Sequence, residues 1–471
     1  MTSIGIIGTG FGGIGTAAEL LTHGYDDVRL WERADTVGGV WRDNTYPGAA
    51  CDVPAPLYSF SFAPNDDWSR RYPGQAEILG YLRRVADQYG VTRRTRFGAR
   101  VVSARWVDET WRVTFDDGTV ETVDVLISAV GQLSEPSAPD VDGWETFDGT
   151  VLHAGAWDDS ADLAGRRVAV VGTGASAVQI VPRLADVAAE LVVLQRSANH
   201  ILPKPDGGYA HWYRDFAPGE RRPIDWITQQ FSRGLDPDSA VATTIERLAA
   251  THLRVRVRDA DLRRHLRPRH QVGCKRILFS NDYYPTLTRD DVHLVPHALT
   301  EVRSDAIRTT DGVWHAVDAI CFATGFDTQD FLHGIEIVGP GGDLHDTWSA
   351  GARAHLGIHV PGFPNLFLAY GPNTNLGGGS IITMLEAQAR HIRATLDRMR
   401  HRRLRRVEAT PAAEQRWDDR VQHELAHSAW ASCTSWYRHP ETGRITSNWP
   451  GGTWAYEQVV ADVHDEEFLW T

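Results

Sequence analysis

The chain has 471 residues, of which 42% are hydrophobic and 23% charged, and its formal net charge is −13. That length allows two or three domains around a sizeable core, and the acidic balance argues against general nucleic-acid binding. No apolar run approaches the ~18 residues of a membrane span, so none is expected.

Ile4–Ile7 is a short apolar run, as a buried parallel strand should be. The opening MTSIGIIGTG has no basic leader, and a cytoplasmic protein is expected. GTGFGG follows, with Gly8, Gly10 and Gly13 in a G-x-G-x-x-G pattern, then a helical stretch over Ile14–Thr22 and a second strand over Val28–Glu32. Gly8 permits the tight turn, Gly10 lets the backbone approach a pyrophosphate, and Gly13 lets helix and strand pack closely. The helix N-terminus then offers unpaired N–H groups to phosphate. Glu32 ends the second strand, where a carboxylate can accept from ribose hydroxyls.

The pattern recurs. Arg167–Val171 reads as a strand, GTGASA supplies Gly172, Gly174 and Ala177, a helix runs to about Ala188, and Leu191–Gln195 is the next strand. Arg196 lies 24 residues after Gly172, as Glu32 lies 24 after Gly8. An acid in that slot suits free ribose hydroxyls, and an arginine suits a 2′-phosphate. The first unit is therefore expected to bind FAD and the second NADPH.

DVLISAVG (Asp124–Gly131) and DAICFATG (Asp318–Gly325) each follow an expected hairpin with an Asp-Gly turn, which extends the repeat. Excess chain in the second unit falls in Pro203–Gly273, read as a helical insert (for example Ser239–Leu253) that could cover a substrate site. The expected fold is α/β, with two Rossmann-like dinucleotide-binding domains, the NADP domain inserted in the FAD domain. Residues 1–136 form the first part of the FAD domain, 137–326 the NADP domain with its insert 203–273, and 327–471 the second FAD part and C-terminal segment. GPN at Gly371–Asn373 leads into a helix over Ser380–Met399 whose dipole suits a reduced flavin. The run Arg398–Arg406 at its end is expected to complement the dipole and stay solvated.

The four cysteines, Cys51, Cys274, Cys321 and Cys433, form no CxxC, so reduced structural thiols are expected. Only Lys204 and Lys275 are lysines among 48 basic residues, which singles both out. The stretch Thr146–Asp159 is too broken by glycine for a helix and alternates too poorly for a strand. It nevertheless carries Phe147, Gly149, His153, Trp157 and Asp158 in the spacing F-x-G-x-x-x-H-x-x-x-W-[P/D]. A second pattern is G-G-x-W-x₄-Y-P-G-x₃-D, carried by Gly38, Gly39, Trp41, Tyr46, Pro47, Gly48 and Asp52. A third runs Cys274–Val295 with Lys275-Arg276, Tyr283-Tyr284 and Arg289; ATGFD at Ala323–Asp327 and Trp436 complete the set.

With these motifs the chain resembles the type I Baeyer–Villiger monooxygenases, a family of class B flavoprotein monooxygenases. The tail from Ser435 resembles, more weakly, a branch that includes aryl-ketone oxidisers. The insert is shorter than in many relatives, which leaves the size of the substrate open.

The resemblance implies FAD and NADPH as cofactors, a ketone and dioxygen as substrates, an ester or lactone as product, and a C4a-peroxyflavin that attacks the carbonyl. It makes Arg276 the catalytic arginine and Asp52 the acid that holds it, although an ordinary buried ion pair would read the same. Gly39, Trp41 and Asn373 are expected at the flavin, Gln75 near it, and Lys275 beside Arg196 at the 2′-phosphate. His153 is expected to fix the domain junction by hydrogen bonds, with Phe147 and Trp157 packing it. Trp436 either reaches the nicotinamide ribose through its N–H or only packs. No metal site is expected, and the protein would be a monomer or homodimer. The rival readings are an N- or S-oxygenating monooxygenase and, from another class, a non-catalytic FAD/NADPH-binding redox sensor.

Overall fold

The computed structural model describes residues 2–137, 139–206, 217–433 and 436–471. Two five-stranded parallel sheets organise it. The first has the order 366–368, 125–128, 4–7, 28–31, 95–96, and the second 292–295, 190–194, 167–171, 319–322, 150–153. In each, the strand ahead of the glycine turn is central: Ile4 pairs Val28 and Val125, and Val168 pairs Leu191 and Ala319. Ile4–Ile7 is buried at all four positions, which is why it is uniformly apolar rather than alternating.

Each unit also carries an antiparallel hairpin sheet, built on Val101–Val107, Thr110–Phe115 and Val120–Val123 in one and on Leu299–Arg303, Ala306–Thr309 and Trp314–Ala316 in the other. After the second unit the strand Leu366–Leu368 joins the edge of the first sheet beside Leu126–Ser128. The helix Ile381–Arg402, capped by Ser380, then packs on the helix Phe11–Thr22.

Several readings of the sequence need correction. The first helix starts at Phe11, not Ile14, because Gly12 and Gly13 lie inside it. Thr150–His153 is a strand: it pairs parallel with Ala319–Phe322 at the sheet edge, where only Leu152 need be buried and no alternation is required. Cys274 and Cys433 are not free thiols. Although 159 residues apart, the fold brings their Cα atoms to 5.8 Å and they form a disulfide, while Cys51 and Cys321 stay free and buried. The basic run is only partly solvated. Arg398 and Arg402 both pair with Asp465, at 2.8 and 2.6 Å, and tie the helix to the C-terminal segment.

Within the insert, Ala217–Ser232, Ala240–Arg256 and Ala260–Leu266 are helical, and Ser239 caps the second through the Ala242 amide at 3.0 Å. Residues 207–216 of the insert, and Ser435 of the tail motif, lie outside the described residues. Gln229 donates to the Thr453 hydroxyl, so the insert is fastened to the C-terminal segment.

Candidate active site

The two glycine turns are built alike. Gly8 has φ +100, and a Cβ there would lie 2.6 Å from the Ala129 carbonyl oxygen; Gly172 has φ +120 and the same relation to Ala323 at 2.5 Å. Only glycine fits a turn with positive φ pressed against the end of a neighbouring strand. Gly10 and Gly174 cap the two helices in extended conformation with no side-chain cap bond, which leaves first-turn N–H groups for a phosphate. Around Gly174 an added Cβ would meet nothing within 4 Å, and at Gly10 it would meet only the Cα of Gly39. No side chain crowds either turn at these positions.

Glu32 sits at the tip of its strand, 4% exposed. One carboxylate oxygen accepts from the Thr9 amide at 3.0 Å and the Thr9 hydroxyl at 2.6 Å. The other accepts from the Ala34 amide at 3.1 Å and pairs with Arg42 at 2.9 Å. In the second unit the matching strand end presents Arg196, exposed. Beside it, Lys275 donates to the Ser197 hydroxyl, and burial together with the Arg196 charge lowers the pKa of Lys275. Thr173, inside the glycine turn, donates to the Ser197 carbonyl at 2.9 Å, and Asn199 donates back to the Thr173 carbonyl at 2.6 Å. His270 lies close, its Nε2 buried without a partner and its pKa lowered by burial and by Lys275. The exposed Arg196, the half-buried Lys275 and the Ser197 hydroxyl thus lie together at the strand end.

Arg276 and Asp52 meet across the two units at 2.6 Å. The Asp52 charge raises the Arg276 guanidinium above its ordinary pKa, so Arg276 stays charged; its side chain is 51% exposed. Trp41 donates its indole N–H to Tyr58 at 3.0 Å and accepts from Gln75 at its carbonyl. Burial pushes the hydroxyls of Tyr58 and Tyr370 well up and that of Tyr437 to about 12, so all three are neutral donors near a fixed charge. Lys204 reaches the Cys51 carbonyl, next to Asp52, at 3.3 Å and lies over the Tyr72 ring.

At the junction, His153 Nδ1 accepts from the Gly155 amide at 2.9 Å, which places the proton on Nε2. That N–H donates to the Thr324 hydroxyl at 3.3 Å, which donates to the Ser137 carbonyl at 2.5 Å. Burial lowers the pKa of His153, so it acts as a neutral strut between the connector and the ATG turn. Phe147 and Trp157 pack on the two faces of the second sheet, and a Cβ on Gly149 would strike the Asp318 carbonyl. Asp158 closes a turn by accepting from the Ser160 amide and hydroxyl at 2.9 and 2.6 Å.

The structure does not bring every candidate to the Arg276 cluster. Asn373 is buried at φ +55, and its amide donates to the Ile445 and Asn448 carbonyls at 2.9 and 3.0 Å. Trp436 is 43% exposed and lies against Tyr437. Residues missed from sequence include Gln179, which donates to Ala50 at 2.9 Å and accepts from Tyr46 at 3.0 Å, stitching the second helix to the Trp41–Asp52 motif. Its one available signal was a place five residues past Gly174. Thr173, shared by both G-T-G turns in position, and Ser197, next to Arg196, were easier to find.

Residues 5–206 match the family model for pyridine nucleotide-disulphide oxidoreductases. The disulfide described above lies outside that span. A Baeyer–Villiger monooxygenase of Streptomyces coelicolor is 38% identical, over 99% of this chain and 92% of its own. Among solved structures, cyclohexanone monooxygenase from Rhodococcus sp. Phi1 bound to NADP⁺ superposes with a TM-score of 0.90 at 28% identity, covering 100% of this chain and 99% of the other. OTEMO in complex with FAD and NADP superposes at 0.91 and 28%, with the same coverage.

Proposed function

The chain belongs to the Baeyer–Villiger monooxygenases, and on that premise we propose that Arg276, held by Asp52, stabilises negative charge where oxygen is inserted beside a ketone carbonyl. The enzyme is an NADPH-dependent flavoprotein monooxygenase that converts a ketone and dioxygen to an ester or lactone. Bound FAD, reduced by NADPH, supplies the activated oxygen, while the chain supplies charge, position and exclusion of water.

The Gly8–Gly13 turn with Glu32 would hold FAD, and the Gly172–Ala177 turn with Arg196 and Lys275 would hold NADPH. Gly39 and Trp41 stand on the flavin side, where Gly39 faces Gly10. A guanidinium keeps its charge at any working pH and offers several donors, so one Arg276 can serve an attacking anion and then a carbonyl oxyanion. Asp52, 2.6 Å away, holds the guanidinium and fixes the direction of its field. Trp436, 43% exposed, would offer its indole N–H to the coenzyme.

The observation that carries this reading is the 2.6 Å Arg276–Asp52 pair, which joins the flavin-side motif to the loop bearing Lys275. Arg276→Ala should keep NADPH-driven flavin reduction within a few-fold and lower ester formation by about 100- to 1000-fold. Stopped-flow absorbance reads the first and product mass spectrometry of a ketone panel the second. Undiminished ester formation would remove Arg276 from the assigned role.

A further inference from the structure

Lys204 is one of only two lysines in the chain, and its side chain is 13% exposed. The coenzyme site accounts for Lys275, but Lys204 reaches elsewhere. Its ammonium crosses from the second unit to the first and donates to the Cys51 carbonyl at 3.3 Å. That oxygen belongs to the peptide unit that joins Cys51 to Asp52, the partner of Arg276. The same ammonium lies over the Tyr72 ring, 4.8 Å from its centroid, with Asp206 at 3.9 Å. A compact charge set among a carbonyl, a ring face and a carboxylate has little room to wander.

The stem of Lys204 starts from a fixed place. Asn281 clamps its main chain, accepting from the Lys204 amide at 3.1 Å and donating to the Lys204 carbonyl at 2.6 Å. Just ahead, Ile201–Leu202 pairs in parallel with Leu278–Phe279. Leu278 donates to the His200 carbonyl and Ser280 to the Leu202 carbonyl, both at 3.0 Å. Arg276 lies shortly before that pairing and Lys204 shortly after it. The two cations therefore leave opposite ends of one small frame in the second unit and reach consecutive residues of the first, Cys51 and Asp52.

The chain leading to Asp52 is gripped in the same way. Gln179, on the helix that begins after Gly174, accepts from the Ala50 amide at 3.3 Å and donates to the Ala50 carbonyl at 2.9 Å. The Cys51 amide donates to the Pro73 carbonyl at 3.0 Å. The Lys204 bond fixes the next oxygen along, immediately ahead of Asp52.

We propose that Lys204 is a positioning residue: by holding the Cys51–Asp52 peptide it aims the Asp52 carboxylate at Arg276. The proposal rests on the role given to Arg276 above. Without the ammonium the peptide can turn, the 2.6 Å pair loosens, and the guanidinium loses the acid that directs it. Flavin reduction by NADPH uses none of these contacts and should continue.

The test compares Lys204→Met, Lys204→Arg, Asp52→Asn, the double variant Lys204→Met/Asp52→Asn and Arg276→Ala in the purified holoenzyme. The rate of ester formation should fall roughly tenfold in Lys204→Met, while the NADPH KM and the rate of flavin reduction stay within about twofold. Lys204→Arg, which keeps a charged donor, should recover the rate to within about threefold. Because Lys204 acts through Asp52, adding Lys204→Met to Asp52→Asn should cost less than about twofold more. A full further tenfold loss in the double variant would show that Lys204 works independently of Asp52, against the proposal. An undiminished rate in Lys204→Met beside a collapsed one in Arg276→Ala would overturn the positioning role and leave the proposed function standing. Undiminished rates in both would sink the reading of Arg276 itself and this proposal with it. Flavin loss and a lower melting temperature that account for the whole deficit of Lys204→Met would make Lys204 a purely structural contact and refute the proposal.

Discussion

The two nucleotide-binding units follow the same backbone path and finish it with opposite chemistry. In the first, Glu32 is buried and meets four donors from its own chain before any ligand is considered. In the second, Arg196 is exposed, Lys275 is half-buried beside it, and their mutual repulsion helps lower the lysine pKa. A carboxylate so fully satisfied is rigid in advance, which suits a group that stays bound. Two neighbouring cations lower their repulsion only when a dianion arrives, which suits a coenzyme that comes and goes.

The largest effect should come from exchanging the third position of the turns. A Cβ on Gly13 would run into the Gly8 carbonyl, whereas the second unit already holds a buried Ala177 there. Overpacking of this kind costs about 1–3 kcal/mol and displaces the helix that faces the pyrophosphate. Gly13→Ala should therefore purify largely without flavin absorbance and melt a few degrees lower. Ala177→Gly should cost only about 1 kcal/mol and keep its flavin. Equal behaviour of the two variants would break the contrast between the units.

Next in size is the choice of coenzyme. Arg196→Ala removes one of two cations near the expected 2′-phosphate, and charge-assisted hydrogen bonds are worth about 1.5–3 kcal/mol. The NADPH KM should rise roughly 10- to 100-fold, while the NADH KM and the turnover number hardly move. Steady-state kinetics with both coenzymes decides it, and a parallel rise for NADH would place Arg196 elsewhere than at the phosphate.

How far these features could be read in advance varied with their range in sequence. The strands and turns of both units were legible because each is a local pattern: an apolar run, glycines at fixed spacing, then a charged residue. The Arg276–Asp52 pairing was legible only through motif resemblance, since 224 residues separate the partners. The edge strand Thr150–His153 was hidden, because its pairing with Ala319–Phe322 comes from a distant segment and its own alternation is weak. Cys274–Cys433 was hidden for the same reason: proximity at 159 residues of separation is a property of the folded path. Asn373 shows the converse limit. The GPN motif marked a real constraint, a buried residue at positive φ, but its amide is spent on the loop of Ile445 and Asn448.

The smallest expected effect concerns pH, and it separates a buried histidine cluster of the first unit from the rest. His355, His359 and His391 are buried together, with His391 donating to the Val460 carbonyl at 2.8 Å and His359 lying 3.1 Å from it. Burial lowers His355 and His391 to about 4 and His359 further. Glu467 lies 3.2 Å from His355, and Trp417 and Phe468 pack on the group. Above the ordinary histidine value near 6.5, folded and unfolded chains are both neutral and these residues add no pH dependence. Between about 6.5 and about 4 the unfolded chain binds protons that the folded chain refuses, so stability falls as pH falls. His200 in the second unit is lowered to about 4 by burial and contributes with the same sign. The melting temperature should thus decline by several degrees from about pH 7 to about pH 5, with flavin released over the same range. His355→Gln should flatten that slope and His200→Asn should flatten it separately. A melting temperature that stays level across the window would show that the folded and unfolded chains bind protons alike there, and that the buried histidines are not the acid-sensitive part.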